Sequence, residues 1–137
     1  MSFFKIFDIA GSGMSAQLLR LNVTASNMAN TESASNRAST TYRARHPVFE
    51  SVMDSVYEDG RSVGVRVREV VSGTEPPLKR YEPNHPLADD KGYIYVPNIN
   101  AVEEMANMLS ASRAFQNNTE VLNVAKQMMI RTLSLGQ

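Results

Sequence analysis

From Asn98 onward the chain runs to Gly136 with no Gly or Pro, and Met108, Phe115, Leu122 and Met129 recur at every seventh position. Ala111, Asn118, Ala125 and Thr132 fill the intervening slot of the same heptad. This spacing predicts one long helix with a continuous seam. At 1.5 Å per residue, roughly 35 residues make a rod of about 50 Å. A compact domain of this size has a radius of gyration of only about 14–15 Å, so the helix outruns what the rest of the chain can wrap. A second stripe lies at the other end, where Phe7, Ala10, Met14, Leu18, Leu21, Ala25 and Met28 are spaced by three or four. It predicts a helix from about Phe3 to Thr31, with Gly11 and Gly13 weakening its first half and Asn27, Asn30 and Thr31 suiting its exit. The two ends thus supply two seams able to pair with each other.

Between the helices the pattern changes. Glu32–Thr41 is rich in Ser, Thr and Asn with no hydrophobic period, and reads as a flexible loop. Pro47–Val52 reads as a short strand, Glu58-Asp59-Gly60 as a turn, and Val63, Val65 and Val67 alternate with Gly64, Arg66 and Arg68 as in a half-buried strand. The prolines at 76, 77, 83 and 86 are expected to break regular structure. Gly92–Val96 predicts another short strand, ended by Pro97, and Asn100 with Glu103 resembles a capping box opening the long helix.

Composition sharpens the helical reading. The polar positions of the long helix are mostly uncharged, among them Asn107, Ser110, Ser112, Gln116, Asn117, Asn118, Thr119, Asn123 and Gln127. Between Ile9 and Thr31 the only charged residue is Arg20. A helix facing water normally carries Lys, Glu and Arg on its outer side, whereas small neutral polar groups are buried at far lower desolvation cost. Both helices are therefore expected to be packed on several sides in an assembly, with the ends of the free chain ordering fully only there.

The formal net charge is zero, with 14 basic and 14 acidic residues, so the electrostatic footprint of a nucleic-acid binder is missing. There are no cysteines, which removes disulfides and thiolate chemistry. No apolar run reaches membrane-spanning length. The segment MSFFKIFDIAGSGMSA lacks a clean signal-peptide core, being interrupted by Lys5, Asp8 and Gly-Ser-Gly. His46 and His85 each precede a proline, far from other ligand-spaced residues, and predict no metal site. Asp89-Asp90-Lys91-Gly92 reads as a solvated turn rather than a calcium loop. Arg61, Arg66, Arg68, Lys79 and Arg80 form a basic cluster that Glu58, Asp59, Glu69, Glu75 and Glu82 are placed to neutralise. No nucleophile stands beside a base, and neither a cofactor nor a small-molecule substrate is expected.

Several motifs carry a resemblance. The run from Leu21 to Asn30, LNVTASNMAN, is similar to the N-terminal motif of bacterial flagellar axial proteins, the rod, hook and hook-associated subunits. Tyr42–Phe49, Tyr81–Ala88, Gly92–Asn100 and the tail from Met108 to Gln137 narrow the similarity to the proximal-rod subunits. The segment Thr31–Thr41 departs from the wider family in lacking the Gly usual after the Asn-Thr turn. The resemblance implies a structural role in the periplasmic basal body and export through the flagellar type III apparatus without a cleaved signal. It also implies polymerisation into a helical tube that transmits torque. Other rod subunits and an adaptor protein at the rod base would be its partners.

The expected fold is α+β: long N- and C-terminal helices forming a paired, coiled-coil-like domain (residues 1–34 and 98–137) around a loop and small β-module (35–97). The residues expected to carry the assembly interface are Phe7, Met14, Leu18, Leu21, Met28, Met108, Ala111, Phe115, Leu122, Ala125 and Met129. The competing readings are a soluble helical adaptor or scaffold, an enzyme with a polar pocket in the β-zone, and a membrane-surface protein anchored by Phe3, Phe4, Ile6 and Phe7.

Overall fold

In a computed structural model, residues 3–53 and 62–134 are described, with side chains from 4 to 53 and 64 to 134. The turn expected at Glu58-Asp59-Gly60, the side chain of Val63 and the position of Arg61 lie outside them. The elements run α1 (Phe3–Ala29), β1 (Arg45–Met53), β2 (Ser62–Ser72), β3 (Leu78–Tyr81), β4 (Tyr93–Val96) and α2 (Ala101–Ser134). The fold is α+β, as expected.

Helix α2 starts where its capping residue directs. The Asn100 carbonyl accepts from the Glu104 amide at 3.0 Å, and the Asn100 side-chain oxygen accepts from the amides of Val102 at 3.0 Å and Glu103 at 3.4 Å. At 34 residues the helix is about 50 Å long. Helix α1 leaves without a left-handed residue. Its last carbonyls are taken up by local side chains: Asn30 donates to Ser26 O at 2.8 Å, Thr31 to Asn27 O at 3.1 Å and Ser33 to Asn30 O at 2.8 Å. These bonds satisfy the acceptors that a helix end leaves open, and explain how the exit works without the glycine usual in the wider family.

The two helices pack antiparallel. Asn27 near the end of α1 meets Glu104 at the start of α2, Arg20 meets Asn107, and Gly13 meets Asn118. The β1–β2 hairpin lies on another side of α1. Ser12 Oγ accepts from the Val65 amide at 3.1 Å, and a Cβ at Gly64 would sit 2.6 Å from that same oxygen. Helix α1 is thus held between α2 and the hairpin, which is the physical reason its middle carries almost no charge.

The antiparallel hairpin pairs Arg45 with Ser72 at one end and Met53 with Ser62 at the other, with register shifts after Val48 and after Val52. Val65 and Val67 are half-buried and Arg66 and Arg68 exposed, as the alternation predicted. A second two-stranded sheet joins β3 to β4 antiparallel. Strand β3 corrects the expectation that the prolines abolish regular structure here. Pro76-Pro77 and Pro83 bracket the strand instead of interrupting it, and its four exposed residues carry no alternation to reveal it. In β4, Ile94 and Val96 are buried while Tyr93 and Tyr95 are half-buried, and Tyr81 packs edge-on to Tyr93 at 5.1 Å.

The segment expected to be a flexible loop is tied down. Ser35 and Tyr95 exchange backbone hydrogen bonds of 2.8 and 2.9 Å, and the Thr40 and Thr41 hydroxyls donate to Arg37 O. Ser and Thr side chains supply this order through bonds to local backbone, a signal that hydrophobic periodicity does not register.

Candidate assembly interface

The α2 seam is legible in the structure. Ala111 and Ala125 are buried and Met108, Phe115, Asn118, Leu122 and Met129 half-buried, all on the line that faces α1; only Thr132 of the predicted seam is exposed. Across from it Phe7, Met14, Leu21 and Met28 are half-buried, and the Thr119 hydroxyl, which donates to Phe115 O at 3.0 Å, lies 3.9 Å from Met14 Sδ. Leu18 stands apart. It is 50% exposed and lines, with Leu19, the α1 side that faces Val65 and Val67. The α1 stripe as read from spacing is therefore slightly rotated from the buried line, which runs through Ala10, Ala16, Val23, Thr24 and Asn27.

Small residues set the separation of the helices. A Cβ at Gly13 would lie 3.0 Å from the Asn118 side-chain nitrogen, so α1 and α2 approach closely there. Arg20, the lone charge in the middle of α1, donates to Asn107 Oδ1 at 3.2 Å across the pair. The neutral polar residues therefore divide between the seam and the outer face. Asn107, Asn118 and Thr119 lie at the seam, while Ser110, Gln116, Asn117, Asn123 and Gln127 face outward.

At the foot of the pair stands a polar junction built on Asn27, which serves the α1 exit through its carbonyl, as expected, and a second role through its side chain. Asn27 is 1% exposed. Its side-chain nitrogen donates to Arg45 O at 2.9 Å and to Glu104 Oε2 at 3.0 Å. Its oxygen accepts from the Tyr42 hydroxyl and the Arg45 amide, both at 2.9 Å. One side chain thus joins α1, the entry to β1 and the first turn of α2.

A second apolar surface escaped the heptad reading. On α2, Val102, Met105 and Leu109, then Val121, Val124 and Met128, are exposed at three- and four-residue spacing. Val121, Val124 and Met128 line a shallow groove of about 370 Å³ with Ile6 of α1. Phe4, at the start of α1, is 73% exposed. The spacing was visible in the sequence, but the more regular seam beside it masked it.

The basic cluster is largely neutralised at the surface: Arg66 pairs with Glu50, Arg68 with Glu69 at 2.6 Å and Arg80 with Glu82 at 2.6 Å. Lys79 lies 4.0 Å from the Tyr93 ring centroid. His46 lies in β1 and His85 in a turn, where its Nδ1 accepts from the Leu87 amide. Among the described residues no group of His, Cys, Asp or Glu is arranged to hold a metal ion, and no helix is long and apolar enough to cross a membrane.

The elements that form this helical pair are the ones that known families share. Residues 7–32 match the family described as flagella basal body rod protein, and residues 90–135 match the flagellar basal body rod FlgEFG protein C-terminal family. Over all of both chains, the sequence is 47% identical to the flagellar basal-body rod protein FlgC of Yersinia enterocolitica. It is also 47% identical to FlgC of Salmonella typhimurium and 40% identical to FlgC of Buchnera aphidicola from Acyrthosiphon pisum, again end to end. The chain belongs to the FlgC family of flagellar basal-body rod proteins. The two matched segments are most of α1 with its exit, and β4 with α2, so the family matches fall on the helical pair. The chain is a structural rod subunit of the basal body and not an enzyme.

Proposed function

We propose that this FlgC-family subunit builds the proximal, periplasmic part of the rod, polymerising through the outer faces of α1 and α2 into a torque-transmitting wall. The observation that carries this reading is surface. The chain exposes 9661 Å², whereas a folded monomer of 15.2 kDa exposes about 7100 Å². Exposed apolar residues on α2 stand in two groups, Val102, Met105 and Leu109 and then Val121, Val124 and Met128, and exposed apolar groups of this kind mark an interaction site. Heterologous contacts that do not close on themselves generate helical filaments, and close packing resists shear. Its neighbours are other rod subunits and the adaptor at the rod base, and it reaches them unfolded through the flagellar type III apparatus.

The test uses an outward-facing residue. Val124→Asp lies 45% exposed in the groove, so the subunit itself folds with little change. Burying that carboxylate against a neighbour is costly, so cells should lack rods and fail to swim. An Asp90→Asn control in the exposed β3–β4 turn should swim normally. Normal swimming by Val124→Asp cells, with the variant present in purified basal bodies, would overturn the proposal. Leu122→Asp makes a poorer test, because Leu122 faces α1 and its change injures the subunit as well as the assembly.

A further inference from the structure

Among the described residues Glu104 is the one charged residue that is buried, at 4% exposure. A buried carboxylate is ordinarily compensated by a cation or by several donors. Glu104 has a single donor, the Asn27 side-chain amide, on Oε2; no described cation forms an ion pair with it, and its other oxygen is open to solvent. Its side chain lines a polar cavity of about 290 Å³ between the foot of the hairpin and the first turn of α2. Glu75 and Glu103 also line it, with Asn98 donating to Glu75 Oε2 at 3.1 Å and Asn100 capping α2.

Resting on the rod-subunit reading, we infer that this cavity is a socket for a basic side chain of an adjoining rod subunit, with Glu104 as its counter-ion. Three carboxylates against Arg43 give the lining an acidic excess. The polar wall favours a guanidinium, whose planar fork serves a carboxylate and neighbouring oxygens together. The socket also has a geometric use. Because Asn27 links Glu104 to α1 and to the Arg45 backbone, a cation docked on Glu104 is registered against three elements at once. The apolar faces of the helices supply area without fixing axial position, since an apolar stripe tolerates sliding; a charged peg in a socket fixes it.

The experiment is Glu104→Gln in the full chain, followed in two readouts. Gln retains the oxygen that accepts from Asn27 and removes the charge. Expected are an unfolding midpoint of the free subunit, by circular dichroism, that is unchanged or raised, and at least tenfold fewer complete basal bodies per cell. Swimming revertants of Glu104→Arg should replace an Arg or Lys of an adjoining subunit by an acidic residue. The socket is overturned if Glu104→Gln cells assemble normal numbers of basal bodies. It is also overturned if their loss accompanies a lowered unfolding midpoint, or if revertants map only to Asn27 and Tyr42. Normal assembly by Glu104→Gln together with failure of Val124→Asp would reject the socket alone; normal assembly by both would reject the assembly reading itself.

Discussion

An asparagine side chain sealed inside a protein presents two donors and two acceptor positions, and each one left without a partner costs about 1–3 kcal/mol. Asn27 has all of these met, by Arg45 N and O, Tyr42 and Glu104. Asn27→Ala strands these groups together and should lower the stability of the free subunit by about 2–4 kcal/mol, read as a fall in the urea midpoint. A loss below about half a kcal/mol, the usual scale of surface changes, would show that the junction is not a structural node. Asp89 makes a smaller but sharper case. Its Oδ1 accepts from the amides of Tyr93 at 2.8 Å and Lys91 at 2.9 Å, and the Tyr93 bond above all holds its pKa below the ordinary aspartate value. A depressed folded-state pKa adds stability above the unfolded pKa and loses it as pH falls through the folded one. The Asp89–Gly92 turn should therefore stay closed through neutral and mildly acid pH and loosen only in strong acid. The Tyr93 amide resonance reports this directly, and a titration midpoint at or above that of an unperturbed aspartate would contradict it.

Among the elements, the spacing of α1 from α2 turns on Gly13. Glycine within a helix costs roughly 1 kcal/mol against alanine, so its presence asks for a reason, and the reason is Asn118. The nearest atom to an added Cβ is the end of a flexible side chain, which is able to shift a few tenths of an ångström. Gly13→Ala should consequently be neutral or stabilising by up to about 1 kcal/mol. Gly13→Leu has no such escape and should force the helices apart, seen as lost helicity and lost motility. If the Leu variant is as stable as wild type, the close approach is not what that position serves. Gly92 differs in kind: its φ of 79° and a prospective Cβ 2.9 Å from the Tyr81 ring both demand glycine at the turn into β4.

For the whole molecule the telling fact is how little lies inside. Among the described residues, apart from Ile94, Val96 and Pro97 at β4, the buried apolar residues are Val23 and four alanines, Ala10, Ala16, Ala111 and Ala125. A helix pair joined through alanines and half-buried larger residues gains little apolar burial per turn, and helices in proteins owe most of their stability to such burial. By the antiparallel register, α2 also continues past the start of α1. In the free subunit, limited tryptic digestion should therefore cut at Lys126 and Arg131 well before Arg45, and assembly into rods should protect both sites. Early cleavage at Arg45 with an intact α2 would mean that the hairpin, not the helix end, is the labile part.

The sequence by itself determined the elements whose signal is local. The heptad from Met108 to Met129, the Asn100 cap and the Val65/Val67 alternation all follow from periodicity and capping chemistry within a few residues. So did the likeness to flagellar axial proteins, which rests on contiguous motifs. Only the tertiary structure decided which face of each helix meets which neighbour. Leu18 shares spacing with Met14 and Leu21 yet turns toward β2, because α1 is covered on two sides and one stripe describes only one. Asn27 read as a helix-exit residue because its partners lie up to 77 positions away in sequence. Strand β3 was illegible for the same reason: four exposed residues between prolines have no pattern of their own and become a strand only because β4 offers them hydrogen bonds.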